Sequence, residues 1–249
     1  MIDEISPTGV ESTVSEGYAL AVALEPAPAP CVEPVHDGVF FTLPEALPRG
    51  RHKLSRDEVT AAQRERLLVA ATELLAARGY RGFGPGDVAS RAGVSLAAFY
   101  ECFANKDECV FAGYDRFIEV LLERMMDVEL DGKDRSQLMR ALIGAYLETL
   151  QSDLIVARAY QVEIDALGPP ARERRRNSLH RFGAYIREAL ARTSPDGKAP
   201  AELPWTAYIG FVYAARQLAS DAVDSDSAPD LGSLGQELNV WGSDLFRQR

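Results

Sequence analysis

The chain has 249 residues, of which 47% are hydrophobic and 26% charged, and this balance is typical of globular proteins. No apolar run approaches the roughly 18 residues that cross a bilayer, and the acidic N-terminus lacks the features of a secretory signal, so we expect a cytoplasmic protein without membrane partners. The three cysteines and three histidines show no metal-ligand spacing, so we predict no metal site and no cofactor.

The formal net charge of −10 is unevenly distributed along the chain. Residues 1–48 carry eight acidic side chains and no lysine or arginine, whereas residues 49–106 carry ten basic and six acidic side chains. Because phosphate binding requires cations, the segment 49–106 is where a nucleic-acid surface should be sought.

The first 48 residues hold seven of the fourteen prolines and show no sustained helical or strand period. This composition predicts a mostly disordered, acidic, proline-rich tail over residues 1–48. Two apolar patches, at residues 18–24 and 39–41, leave open the alternative that part of the tail docks on the body or on a partner.

Helical spacing of apolar residues begins after Ser55 and ends at Gly79, which suits the end of a helix. Two short helices follow. Pro85 is placed to begin the first, and Gly93 to end it. Ser95 is placed to cap the second. A short helix, a glycine-containing turn and a second short helix predict a helix-turn-helix at about residues 84–103. An ordinary helical hairpin inside a bundle is the alternative.

The rest of the chain shows the helical period throughout. Asn105 is placed to cap a long amphipathic pattern, and further helical stretches are predicted at about 135–151, 153–167, 171–193, 204–221 and 231–248. No strand pattern with turn signals appears. We therefore predict an all-α protein.

Several short motifs between residues 63 and 117 occur in the order and spacing of one family, and the segment resembles the N-terminal domain of TetR-family transcriptional regulators. The motifs are Gly79-Tyr80, Asp87-Val88-Ala89, Arg91 to Ser95, Phe99-Tyr100, Phe103 and Asn105 to Asp107. The resemblance implies a three-helix DNA-binding domain over residues 49–108 and a helical effector-binding and dimerisation domain over residues 109–249.

The resemblance also implies a function. The protein would be a sequence-specific DNA-binding regulator and no enzyme: a ligand-responsive repressor that binds double-stranded DNA as a homodimer on a palindromic operator. Its effector would be a small molecule that the sequence does not identify. A helical adaptor that has lost DNA binding is the rival hypothesis, because the net charge is acidic and the second short helix is largely apolar.

Individual DNA-binding residues follow from the resemblance. Tyr100 and Lys106 are similar to the phosphate-contacting residues of the family, although a core tyrosine and a solvated lysine are the plain alternatives. Ser95, Leu96 and Ala97 occupy groove-facing positions. Leu96 and Ala97 cannot hydrogen-bond base edges, so direct readout should be thin.

Two more features bear on DNA contact. Gly84 stands where a hydroxyl residue usually caps the first short helix, which leaves only the helix N-terminus to attract a phosphate. The basic run at residues 49–53, which includes Arg51 and Lys53, could enter the minor groove as an arm. A solvated linker is the alternative.

Aromatic residues of the C-terminal half are weak candidates for a ligand site. They are Tyr146, Tyr160, Trp205 and Tyr208. Aromatic residues on helices more often belong to a core or an interface.

Overall fold

The computed structural model describes residues 31–43, 55–193, 203–225 and 228–246. Within these ranges the regular structure is helical, as the sequence predicts. The helices in chain order are α1 (Arg56–Arg78), α2 (Pro85–Ala92), α3 (Leu96–Cys102), α4 (Lys106–Met126), α5 (Arg135–Ser152), α6 (Leu154–Ala157), α7 (Pro169–Arg192), α8 (Trp205–Ser225) and α9 (Leu231–Leu245).

Polar side chains fix where the helices begin. The Ser55 hydroxyl accepts the Glu58 N–H, and the Glu58 carboxylate in turn accepts the Ser55 N–H. Asn105 caps α4 by accepting the Glu108 N–H at 2.9 Å. Such caps satisfy N–H groups that have no partner within the helix. The predicted starts at Ser55 and Asn105 are therefore confirmed.

The segment between α5 and α7 is less regular than the sequence suggests. A single helix is predicted over residues 153–167, but the backbone forms the short α6, a π-helical turn at Arg158–Val162 and a 3₁₀ turn at Glu163–Leu167. Gly168, with φ of 79°, ends the segment. The π turn places Tyr160 and Gln161 in the interior, where both are buried.

One apolar core runs through both halves of the described chain. Helix α1 packs against α2, α3 and α4, while α5 packs against α9 and α7 against α8. Helix α4 joins the two halves, and the domain boundary that we predicted at residue 108 lies inside its first turn. A shift of α4 is therefore felt in both domains.

The prediction of a disordered tail over residues 1–48 is wrong for residues 31–43. Val35, Phe40 and Phe41 are each at most 3% exposed. Gly38, with φ of 91°, turns the chain between them, and its N–H donates to the Phe41 carbonyl at 2.9 Å. The apolar patch at residues 39–41 therefore docks on the body, since the burial of these side chains offsets the entropy of ordering a short segment. The remainder of the tail lies outside the described residues.

Candidate nucleic-acid interface and effector cavity

The helix-turn-helix forms as the sequence predicts, from α2 and α3 on the outer side of α1. Gly93 adopts a left-handed conformation with φ of 67° and ψ of 33°. The Val94 N–H reaches back to the Ala89 carbonyl at 3.0 Å. A residue with a Cβ would be strained at Gly93. The glycine therefore sets the angle between the two helices.

Helix α3 is anchored by one face and open on the other. Phe99 is fully buried, whereas Leu96 is 47% exposed and Tyr100 54% exposed. Ser95 and Ala97 are exposed as well. The alternative of a core tyrosine at position 100 is therefore wrong. Four of the predicted DNA-binding residues lie together on one accessible surface, namely Ser95, Leu96, Ala97 and Tyr100.

Ser95 and Gly84 are largely engaged in local capping. The Ser95 hydroxyl accepts the Ala98 N–H at 3.1 Å, so only its own hydrogen is left to donate. The Gly84 N–H donates to the Asp87 carboxylate at 2.8 Å. This carboxylate occupies the N-terminus of α2 that we expected to attract a phosphate.

Lys106 has a structural role that the sequence did not reveal. Its Nζ donates to the carbonyl oxygens of Tyr80 at 2.7 Å and Phe83 at 2.9 Å, and it lies 3.9 Å from the centre of the Tyr80 ring. Desolvation lowers the pKa of this ammonium. Lys106 thus ties the start of α4 to the loop before α2, which leaves one N–H for a phosphate.

Arg64 supports α3 and was missed at the sequence level. Its Nη1 donates to the Cys102 carbonyl at 3.1 Å, and its guanidinium lies 4.3 Å from the centre of the Phe103 ring. A cation at the C-terminus of a helix interacts favourably with the helix dipole. The two residues are 38 positions apart, so no local pattern could have indicated the contact. The predicted arm residues Arg51 and Lys53 lie outside the described residues.

A second candidate site is a cavity in the C-terminal domain. It has a volume of about 60 Å³, and its walls come from α4, α5, the π turn, α7, α8 and α9. The lining on α4 extends from Tyr114 to Met125, which corresponds to about 16 Å along the helix axis. The cavity is therefore long and narrow.

The two ends of the cavity differ in polarity. Met125 and Ile186 line one end. At the other end the Tyr114 hydroxyl lies 3.0 Å from the Ser178 hydroxyl, close to Arg175. Arg175 and Arg216 both approach one carboxylate oxygen of Asp165, Arg216 at 3.7 Å. Two positive charges thus share one negative charge at the polar end.

The structure divides the four predicted ligand candidates. Tyr146 and Tyr160 line the cavity, and the Tyr146 hydroxyl accepts the Gln161 amide at 3.0 Å. Burial raises the pKa of both phenols, so both remain protonated. Trp205 and Tyr208 are not in the cavity wall. They pack instead beside His180 and Phe246, so this cavity does not include them.

Tyr160 also contacts the DNA-binding domain directly. Its hydroxyl lies 2.8 Å from the Thr72 hydroxyl on α1. Gly113 on α4 permits this approach, because a Cβ at that position would lie 1.9 Å from the Tyr160 oxygen. A wall of the cavity and α1 therefore meet at this contact.

Comparison with known proteins agrees with this geometry. A family model described as bacterial regulatory proteins, tetR family, matches residues 67–112, which cover the second half of α1, all of α2 and α3, and the start of α4. These residues form a TetR-family N-terminal domain. The HTH-type transcriptional activator FasR of Mycolicibacterium smegmatis is 32% identical to this chain over 105 residues, which are 42% of the chain and 46% of FasR.

Longer matches extend over the C-terminal half of the chain. The HTH-type transcriptional regulator EthR of Mycobacterium tuberculosis is 25% identical over 209 residues, 81% of this chain and 94% of EthR. The transcriptional regulator FadR of Bacillus subtilis, solved in complex with stearoyl-CoA, superposes with a TM-score of 0.62 at 19% identity over 74% of this chain and 98% of FadR. The relatives are transcriptional regulators, which agrees with the prediction that the chain is not an enzyme.

Among the residues described, no helix is long and apolar enough to cross a membrane. The same residues contain no cluster of histidine, cysteine and acidic side chains with the geometry of a metal site.

Proposed function

We propose that the protein binds a palindromic DNA operator as a homodimer, represses transcription from it, and responds to a small amphiphilic effector. The observation that supports DNA binding best is the accessible face of α3, where Leu96 and Tyr100 are exposed while Phe99 anchors the helix. A helix presented in this way fits the major groove, with Tyr100 positioned for the backbone and Leu96 and Ala97 for thymine methyl groups.

Selection of DNA from a random pool by the purified protein tests this proposal. We expect enrichment of an inverted repeat whose half-sites lie about one helical turn, or a multiple of it, apart. A pool without enrichment would favour the rival adaptor function. In a reporter strain, the selected operator placed over a promoter should lower expression, whereas an increase would show an activator.

The dimer is proposed from exposed apolar residues on the last two helices. Tyr213 and Leu218 on α8 are 41% and 44% exposed, and Val240 and Trp241 on α9 are 69% and 42% exposed. Apolar side chains gathered on two adjacent helices are typical of an interface. A two-fold pairing of α8 and α9 with their copies forms a four-helix contact. We expect Val240→Glu to shift the protein to monomer in sedimentation velocity, and an unchanged dimer would place the interface elsewhere.

The shape and polarity of the cavity suggest the effector. A narrow apolar cavity with arginines at one end suits the polarity of an unbranched chain with an anionic head near Arg175 and its tail towards Met125 and Ile186. Because the cavity measures only about 60 Å³, its walls must move apart to admit such a chain. FadR of Bacillus subtilis was solved with stearoyl-CoA, a molecule that carries a long unbranched chain. We take dodecanoate as a probe, with dodecanol as its uncharged counterpart.

Calorimetry with the two probes tests the chemical class of the effector. We expect dodecanoate to bind about tenfold or more tightly than dodecanol, because a charged hydrogen bond contributes roughly 1.5–3 kcal/mol. Equal affinities would contradict an anionic head. Arg175→Gln should abolish the difference. Arg174→Gln is the matched control, because Arg174 immediately precedes Arg175 on α7 but pairs with the exposed Asp115.

A further inference from the structure

Residues 31–43, here termed the strap, cross between the two domains and contact each of them. Val32 and Val35 lie against α1 and α2, whereas His36 and Phe40 lie against α4 and the junction of α5 with α6. Neither the family match at residues 67–112 nor the cavity includes the strap.

On the side of the DNA-binding domain, the strap shares a buried carboxylate with α2. Glu73 on α1 is 5% exposed and accepts the Val35 N–H at 3.0 Å. Its other oxygen accepts Arg91 Nε at 2.6 Å. Arg91 also donates to the Val32 carbonyl at 3.2 Å. Helix α2, which carries Arg91, is therefore bonded to the strap both directly and through Glu73.

On the side of the effector domain, the strap touches a wall of the cavity. The Phe40 ring lies 5.4 Å from the ring of Phe117, which lines the cavity and lies 5.5 Å from Tyr160. The His36 N–H donates to Asp153 at 2.7 Å, and its ring contacts the Ser152 carbonyl at 2.8 Å. These bonds hold the strap at the end of α5 while Phe40 rests on Phe117.

We propose that the strap couples the cavity to the helix-turn-helix, which extends the proposed function by naming the element through which an effector acts. An occupant of the cavity displaces Phe117, Phe40 follows because the two rings are packed, and the strap transmits the shift to Glu73 and Arg91. Helix α2 then changes position relative to α1. The contact between Tyr160 and Thr72 offers a parallel route that bypasses the strap.

Two adjacent phenylalanines separate these routes. Phe40 and Phe41 are both 2% exposed. Phe40 packs on Phe117, whereas Phe41 packs beneath the Arg116 guanidinium at 5.5 Å. Phe40→Leu and Phe41→Leu remove similar amounts of buried surface and retain an apolar side chain, so both variants should fold. Only Phe40→Leu alters the ring contact with the cavity wall.

The cavity can be filled without knowledge of the effector. Ala215 lines it and is 8% exposed, so Ala215→Leu adds a branched side chain to its interior. The readout is hydrogen exchange of the α2 backbone amides, compared with and without Ala215→Leu in the unaltered protein, in Phe40→Leu and in Phe41→Leu. This readout requires no DNA, so its outcome does not depend on the outcome of the DNA selection.

We expect Ala215→Leu to change the α2 exchange rates by about fivefold or more in the unaltered protein and in Phe41→Leu, a typical coupling between sites. In Phe40→Leu the change should fall below about twofold. An equal response in Phe40→Leu and Phe41→Leu would overturn the proposal in favour of the Tyr160 route. Unchanged α2 exchange rates on Ala215→Leu in all three proteins would also overturn the proposal, because filling the cavity would then have no effect on α2.

Discussion

The helix-turn-helix and the cavity use their positive charges in partly different ways. Around α3, Lys106 and Arg64 donate to backbone carbonyls, and Arg91 pairs with Glu73. In the cavity wall, Arg216 also donates to a backbone carbonyl, that of Gln161, at 2.6 Å, but it and Arg175 both approach the carboxylate of Asp165. The cations of the DNA-binding unit therefore hold that unit together, while at the polar end of the cavity two guanidinium groups approach one carboxylate.

This contrast changes the expected source of DNA affinity. Phosphate contacts must come from cations that remain accessible, such as the exposed Arg81, and from the basic run at residues 49–53. Helix α3 determines how the protein fits into the groove, but the side chains of Leu96 and Ala97 cannot hydrogen-bond base edges. We therefore expect specific binding with a modest number of base contacts.

The largest expected effect is on thermal stability and comes from removing the strap, which contacts both the helix-turn-helix domain and the effector domain. A chain that starts at residue 44 loses the burial of Val35, Phe40 and Phe41, and leaves Glu73 with Arg91 as its remaining partner. Deleting one buried phenylalanine side chain typically costs about 3–5 kcal/mol. We expect calorimetry to show a melting temperature about 10–20 °C below that of a chain that starts at residue 31.

The chain that starts at residue 31 is the matched reference, because it keeps the whole strap. Melting of the two chains within about 3 °C of each other, a shift of roughly 1 kcal/mol, would show that the strap contributes little to stability.

Gly113→Ala is expected to have the next largest effect, because it acts where the cavity wall meets α1. The added methyl group would lie 1.9 Å from the Tyr160 hydroxyl oxygen, so Tyr160 must move and give up its bond to Thr72. Overpacking of this kind costs about 1–3 kcal/mol. Urea unfolding of Gly113→Ala should show this loss.

Tyr160→Phe supplies the control for that experiment, because it removes the clashing oxygen. In the Gly113→Ala background it should recover part of the lost free energy of unfolding, although it is destabilising alone. If the losses in free energy of unfolding caused by Tyr160→Phe and Gly113→Ala simply add, the two residues are not coupled. The close approach of Gly113 to Tyr160 would then contribute nothing to stability.

The sequence predicted the two regions unequally, for a physical reason. Helix starts and the turn depend on neighbouring residues, and Ser95, Gly93 and Asn105 give local signals that hold in any context. The apolar pattern around Phe99 and the exposure of Tyr100 follow from one helical period. The all-α class and the helix-turn-helix were therefore recoverable from the sequence.

Long-range contacts were not recoverable in this way. Lys106 meets Tyr80 and Phe83 only after α4 has packed beside the loop before α2. The cavity draws Tyr146 and Tyr160 from separate elements, and it excludes Tyr208, whose spacing looks no different. The strap was misjudged because a composition rich in proline and acidic residues outweighed a short apolar patch whose docking site lies far along the chain.

A smaller effect distinguishes the structural role of Lys106 from phosphate binding. Lys106→Met leaves the Tyr80 and Phe83 carbonyls without their donor, which should lower the free energy of unfolding by about 1–3 kcal/mol. If the ammonium acts structurally, the dependence of operator affinity on salt should keep its slope. Arg81→Gln, at an exposed cation of the same loop, should instead reduce that slope by about one unit and leave stability unchanged.

Filter binding over a range of salt concentrations, paired with urea unfolding, measures both quantities. A slope that falls by about one unit in Lys106→Met would assign its remaining N–H to a phosphate, as the family resemblance implies. If Arg81→Gln left the salt dependence of operator affinity unchanged, the phosphate contacts would have to come from other cations.

The smallest effect concerns the thiols beside α3, and it tests how closed the interior of the DNA-binding domain is. Burial raises the pKa of Cys109 to about 12, and burial also raises the pKa of Cys102. Cys31 is exposed. Because the thiolate is the reactive form, iodoacetamide at pH 8 should modify Cys31 first and Cys109 last. The rate at Cys109 should rise about tenfold per pH unit as the thiolate fraction increases.

Peptide mapping of the modified protein measures the three rates separately, and a circular dichroism spectrum at each pH verifies that the fold persists. Cys109 has the Leu67 carbonyl as its hydrogen-bond acceptor at 3.7 Å, so modification requires that α1 and α4 separate. Modification of Cys109 as fast as Cys31 at pH 8 would mean that these helices open readily. In that case α3 would rest on a loose support, and oxidation near it could govern DNA binding.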